Sequence, residues 1–343
     1  MQALKRNNTA AWFFNLVRSR EASVVIVLVV ISLLMFFSEQ RSAFFAPENK
    51  LNLMRETALL AIFAIGETFV IITAGIDLSV GALIAFCGML MAWLLYHPLE
   101  RLLPAVAIPL AISLTLLVGL LIGWVHATLV HKLRLPAFVV TLASLLIFRS
   151  QALVINDQKK IPISDFPAIS ILADGALFEG HWFAIPIPTV IMLVIAIITG
   201  IILSKTKMGR YIYSLGCNES ATRLSGVNVY KAKMFAYGVS ALLGGIAGVL
   251  YTAYNGQADP QVATGYELDA VAASVIGGAS LMGGRGTVLG TVLGAAVLQV
   301  IFSAINLRLQ SPEVWRGTVL GGVLLFAVLV AAIQQKRSGQ SES

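Results

Sequence analysis

A chain of 343 residues that is 58% hydrophobic and only 12% charged, with a mean hydropathy of +0.86, does not compose a soluble domain, since such domains carry about 25% charged residues. Its formal charge of +7 collects in short segments between apolar runs, which suits an anionic membrane surface and argues against a nucleic-acid-binding face. Cys87 lies in an apolar run and Cys217 in a basic one, so neither has metal-ligand spacing and both read as free thiols.

In chain order, residues 1–21 carry Lys5, Arg6, Arg18 and Arg20 and lack a small-residue cleavage site, so the run 22–38 reads as a retained first span. A crossing helix needs about 20 apolar residues, because unpaired backbone groups are costly in hydrocarbon. Further spans are predicted at 56–74, 78–96, 102–130, 135–149, 185–203, 234–254, 268–283, 287–305 and 315–333. Pro104 and Pro109 predict a bend near the start of the fourth, or a portion of it outside the membrane. The fifth and eighth are short, which leaves nine or eight crossings open if a segment is re-entrant. The fold class is an all-α polytopic membrane protein of about ten transmembrane helices. It divides into a tail (1–21), a transmembrane domain (22–333) and a second tail (334–343).

Lys and Arg set direction. With about ten spans and a basic cytoplasmic N-terminus, His131, Lys132, Arg134, the 204–233 loop, Arg285 and the tail with Lys336 and Arg337 share the cytoplasmic side. The 204–233 loop holds six Lys/Arg against one Glu. Its length exceeds what a plain positive-inside loop requires, so a docking surface is the competing reading. Residues 150–184 fall on the opposite side, where Pro, Asp and Gly predict a folded surface loop; a short amphipathic helix and disorder are both open there.

GIDLSVGALIA at 75–85 echoes GYELDAVAASV at 265–275. Five spans separate the two, so the units would face opposite ways, an inverted internal repeat of the kind transporters use. Gly244, Gly245, Gly248, Gly277, Gly278, Gly290 and Gly294 stand where helices would have to touch and read as packing positions. Gly283-Gly284-Arg285-Gly286 reads as a tight turn with Arg285 at headgroup level.

Glu67 is the one acid well inside an apolar run, and a buried charge must be paired, solvated or protonated. Lining a cavity and lying at a helix interface are both open to it. Asp77 is placed to cap a helix beginning at Leu78, and Glu267 and Asp269 read as doing similar work at the far side. Neither a nucleophile–base arrangement nor a GxxxxGK phosphate loop is present in the sequence. Uphill transport would therefore draw on a partner or an ion gradient, and the scarcity of intramembrane acids weighs against ion coupling.

GIDLSVGALIAFCG at 75–88, LPAFVVTLASLLIFR at 135–149, GRYIYSLGCNESATRLSGVNVYKAKMFAYGVSALLGGIAGVL at 209–250 and ELDAVAASVIGGASLMGGRGTVLGTVLGA at 267–295 closely resemble the membrane subunits of bacterial ribose/xylose/galactoside-type sugar ABC importers. The resemblance runs from about residue 50 to 333. It implies a permease in the bacterial inner membrane that pairs with a second, identical or sister, permease subunit. It also implies ATP-binding subunits beneath, which carry the ATP and Mg that this chain does not bind, and a periplasmic solute-binding protein. By that resemblance 209–233 is the coupling segment: Glu219, Ala221 and Gly226 echo the family's Glu-Ala-Ala…Gly loop, with Ser220 where Ala is common. Arg210 and Arg223 would anchor it electrostatically. The implied cargo is a sugar or sugar-like solute, and a nucleoside or signalling-sugar importer would have a similar permease. Thr73, Asn156 and Tyr254 are then candidates, with Glu67, for the translocation pathway. A gradient-driven secondary carrier is the alternative.

Overall fold

The computed structural model describes residues 20–339 apart from Trp182. The N-terminal tail up to residue 19 and the last four residues of the C-terminal tail lie outside the described residues. Regular structure among the described residues comprises fourteen helices and four two-residue strands. Helix α1 (Arg20–Phe36) and the single turn α2 (Arg41–Phe44) lead into α3 (Pro47–Ile72). From Ala58 to Ile72 every α3 residue is buried. A helix apolar all round belongs at the centre of a bundle, and α3 takes that place.

The next three helices, α4 (Val80–Tyr96), α5 (Pro104–Lys132) and α6 (Ala137–Val154), pack on one another, and the first two also on the helix Val229–Asn255, which itself lies against α3. Pro104 opens α5, where its missing N–H is no loss, and Pro109 sits inside the helix without ending it. The second half contains α8 (Ile187–Lys205), α11 (Val229–Asn255), α12 (Tyr266–Ile276), α13 (Val288–Arg308) and α14 (Pro312–Gly339). Among the described residues, five helices (α5, α6, α8, α11 and α13) are long and apolar enough to cross a membrane. Only 22% of the apolar stretch of α5 and of α6 is buried, against 67% for α11. The first two therefore form the perimeter, and outward side chains such as Leu146 and Ile197 need a hydrocarbon solvent.

The predicted spans fall on helices whose bounds differ in places: those of the second and seventh begin earlier than expected, at Pro47 and Val229. The fifth is longer than expected, an 18-residue helix. The eighth contracts to the 11 residues of α12, about 16 Å of helix, roughly half a bilayer core. It stops because Gly277-Gly278 follows and Gly278 adopts φ 94°, a left-handed conformation that ends a helix. Residues 277–287 continue as irregular chain. Small residues carry the helix crossings: a methyl group on Gly66 of α3 would lie 2.8 Å from Ser240 Cα on α11, so the two backbones meet directly.

The two ends of the bundle differ. One carries α9 (Lys207–Cys217) and α10 (Glu219–Leu224), which follow α8. At the other end of α8 lies the 150–184 region, which is folded. It contains β1 (Ile161–Pro162), the short helix α7 (Pro167–Asp174) with Ile169 and Ala173 turned inward, and a pairing of β2 (Ala176–Leu177) with β3 (Ile185–Pro186). Strand β1 pairs antiparallel with β4 (Gln257–Ala258), Ile161 opposite Ala258. Lys160 reinforces the pairing with an ion pair to Asp259 at 2.8 Å. Arg149 donates to the carbonyls of Pro260 and Val262 at 2.9 and 2.8 Å, fastening the α11–α12 connection to α6.

Candidate functional site

The basic loop folds into a compact helix pair because its caps are written locally. Thr206 Oγ1 accepts from Gly209 N–H at 3.2 Å, Asn218 Oδ1 from Ala221 N–H at 2.9 Å and Asn228 Oδ1 from Lys231 N–H at 3.0 Å. Each satisfies a free donor at the start of α9, α10 or α11. Gly226, at φ 81°, makes the turn between α10 and α11. Glu219 lies in the first turn of α10, where the helix dipole favours an acid. Its carboxylate takes Lys233 Nζ of α11 at 2.8 Å and Arg223 of its own helix at 3.0 Å. Burial alone would raise the Glu219 carboxyl, but the hydrogen bonds and charges of Lys233 and Arg223 outweigh it and hold it below the ordinary glutamate value. Arg210 is exposed and makes no ion pair among the described residues.

This helix pair rests on the end of α3. Gly216 packs on the Ile72 carbonyl, Gly284 N–H donates to the same oxygen at 2.9 Å, and Tyr213 Oη donates to the Gly286 carbonyl at 2.6 Å. The irregular 277–287 chain is therefore clamped between α3 and α9, with Arg285 exposed on its turn. Beside it opens a cavity of 490 Å³ lined by Thr73, Arg134, Asn218, Glu219, Arg223 and Lys233 among others. Thr73 thus shares this cavity with Asn218, Glu219 and Arg223, its hydroxyl donated to the Val70 carbonyl at 2.7 Å.

Behind that cavity the 73–79 segment is stitched into the core. Asp77 does not cap a helix at Leu78: α4 begins at Val80 after Ser79. Asp77 instead forms a turn, its Oδ1 accepting Ser79 N–H at 3.0 Å and Ser79 Oγ at 2.6 Å. Its Oδ2 accepts from Ser240 of α11 at 2.9 Å, and its own N–H donates to Glu67 Oε1 at 3.1 Å. Thr141 of α6 adds a bond to the Ile76 carbonyl at 3.0 Å. Glu67, fully buried on α3, has no hydrogen-bond partner at Oε2. Its position is a helix interface, at the junction of α3, α11 and the 73–79 turn. The other half of the sequence echo lies close by: Gly81 of α4 packs against the Ala263 carbonyl and the Glu267 carboxylate at the start of α12.

Asn156 and Tyr254 lie elsewhere. Asn156 donates to the carbonyls of Lys159 and Lys160 at 3.2 and 3.4 Å, a local turn bond. Tyr254 lines a second cavity of 340 Å³ between α3, α11, α12, α13 and the start of α14. Asp269, buried on α12, is paired there with Arg316 at 2.6 Å. Sequence reasoning missed Lys233, Ser240, Arg149 and Arg316. Only Lys233 had a local signal, fourteen residues from Glu219 in the same loop. Among the described residues no group of three or more His, Cys, Asp or Glu is placed to hold a metal ion.

A many-helix bundle with an apolar perimeter, a capped basic helix pair at one end and a half-length helix inside defines a multi-pass membrane transport subunit. Residues 49–328 match the family described as branched-chain amino acid transport system / permease component. The chain is 39% identical over 286 residues to the ribose import permease protein of Haemophilus influenzae, covering 83% of this chain and 85% of that one. It is 31% identical over 293 residues to the D-allose transport system permease protein of Escherichia coli, covering 85% and 86%. It is also 31% identical over 350 residues to the xylose transport system permease protein of Haemophilus influenzae, covering 86% and 92%. No solved structure matches it significantly. The chain belongs to this permease family, on the sugar-importing branch of ABC transporters, as a non-catalytic membrane subunit. That membership carries the requirement for an ATPase and a solute-binding protein, and it sets aside the gradient-driven carrier.

Proposed function

We propose that this chain translocates a pentose or hexose across the bacterial inner membrane through about ten crossings arranged as an inverted repeat, with both termini cytoplasmic. The domain division at residues 21/22 and 333/334 follows from that topology. It pairs with an identical or sister permease subunit and receives its solute from a periplasmic binding protein. Its similarity to ribose, D-allose and xylose permeases supports a sugar over the amino acids after which the family is described. The observation that carries the reading is the Glu219 hub. It closes α10 onto α11 through Lys233, while α9 rests on the end of the central helix α3. A push delivered by an ATPase to α9 and α10 therefore reaches α3 and the 73–79 turn without passing through a flexible loop. Arg210, Arg223, Glu219 and Gly226 form the seat: Arg210 offers an exposed cation with no ion pair among the described residues, Arg223 and Glu219 set the surface charge, and Gly226 fixes the turn. Arg285 and Thr73 flank it.

The test is the double charge reversal Arg210→Glu with Arg223→Glu in proteoliposomes holding permease, ATPase and binding protein. Expected are loss of ATPase co-purification and of ATP-driven D-ribose uptake, with the permease still monodisperse in detergent. Wild-type ATPase association and uptake in that variant would refute the seat.

A further inference from the structure

We propose that the 340 Å³ cavity between α3, α11, α12, α13 and the start of α14 is a way-station that cradles one neutral polyhydroxylated ring. Its volume falls in the range of small-molecule sites. Half-buried Tyr254 lines the space with a flat apolar ring and a phenolic edge, the pattern that accepts the C–H face and the hydroxyl rim of a sugar. Tyr251 and Tyr266, bonded to each other through their phenols and with Tyr266 stacked on Phe63, form a rigid aromatic wall beside it. Gln299 points to a ligand independently. It is only 7% exposed, yet the hydrogen bond its amide makes among the described residues is a long one, 3.5 Å to the Glu56 carbonyl. A buried amide left so loosely satisfied costs stability unless something else bonds it. Glu56 and Asn306 add further acceptors and donors around the same space.

The charge pattern selects the class. Arg316 is the one cation among the described lining residues; it pairs with the buried Asp269 at 2.6 Å, which offsets its charge, and lies 4.3 Å over the Phe302 ring. With Glu56 and Glu313 also on the wall, acids outnumber the single, paired cation, and an anionic solute is disfavoured. The cavity therefore disfavours sugar phosphates, and leucine, which lacks a hydroxyl rim, fits its polar edge less well than an uncharged sugar. This inference rests on the sugar-import reading and adds where the sugar lodges and what is disfavoured.

The experiment uses the reconstituted full transporter with a single reactive thiol, Asn306→Cys in a Cys217→Ser background; Asn306 is exposed at the rim and Cys87 is buried. D-ribose, D-xylose and D-allose, one at a time at tens of millimolar, are compared with L-leucine as protectants against a methanethiosulfonate reagent. Protection by a sugar and not by leucine is expected. In parallel, Tyr254→Leu and Gln299→Leu should each lower the initial uptake of the protecting sugar about tenfold at subsaturating concentration, and Tyr254→Phe should largely retain it. Equal labelling with every solute, or protection by leucine, overturns the site. A wild-type transporter that imports the sugar while Tyr254→Leu and Gln299→Leu import it equally well overturns the site and leaves sugar import standing. Protection without ATP-driven uptake in the wild type supports the site and sinks the import reading.

Discussion

Removing the Glu219 carboxylate strands one nearly buried ammonium. Lys233 Nζ lies 2.8 Å from Glu219 Oε2, and its side chain is 10% exposed against 39% for its partner. Exposed ion pairs contribute about 0.2–1 kcal/mol, whereas breaking a buried pair costs about 3–5 kcal/mol. A pair buried on one side only falls between, so Glu219→Ala should destabilise the permease by about 2 kcal/mol. Lys233→Met should cost about 1 kcal/mol, because it leaves no stranded charge and its thioether follows the path of the lysine stem. The double substitution should then be milder than the two effects added, by about 1 kcal/mol. Thermal unfolding of the purified permease in detergent reads the stability, and ATPase binding to the same samples reads function. Strictly additive effects would refute the hub, since independent residues show no coupling energy.

The carboxyl held below its ordinary value of 4.5 gives a pH signature. Its contribution is fully present above that value and is lost as pH falls through the lower folded value. Melting temperature should be insensitive to this group from neutrality down to about pH 5 and fall more steeply below that than in Glu219→Gln, checked by melts across the acid range. Gly66→Leu places an isobutyl group where even a methyl would lie 2.8 Å from Ser240 Cα. It should cost about 1–3 kcal/mol, lengthen the 2.9 Å Ser240–Asp77 bond and lower uptake; an unchanged melt would mean that α3 and α11 are not in backbone contact. Arg149→Met removes two charge-assisted bonds, at 2.9 and 2.8 Å, from the α11–α12 connection. A loss of about 2 kcal/mol and faster protease cleavage near Pro260 are expected, and limited proteolysis of intact proteoliposomes measures the latter.

Much of the bundle was legible because hydropathy and capping are local. Apolar runs about a bilayer long became helices; the caps at Thr206, Asn218 and Asn228 are equally local, although sequence reasoning did not single them out. The eighth span was overextended because its hydropathy continues through Gly277-Gly278, where backbone conformation, not polarity, ends the helix. Asp77 was read as a cap for the same kind of reason: a nearby helix start is visible in sequence, but the Ser240 hydroxyl that holds it is 163 residues away.

The sequence by itself determined that this is a multi-pass membrane protein, which segments are apolar enough to cross, and where the basic loop lies. Those properties are sums over neighbouring residues, and any chain with the same runs would share them. Only the tertiary structure decided that Glu219 holds Lys233, that Glu67 and Ser240 meet at the 73–79 turn, and that three tyrosines and Gln299 share one cavity beside the Asp269–Arg316 pair. Such meetings depend on helix register and crossing, which close backbone contacts at small residues set and which no local pattern encodes.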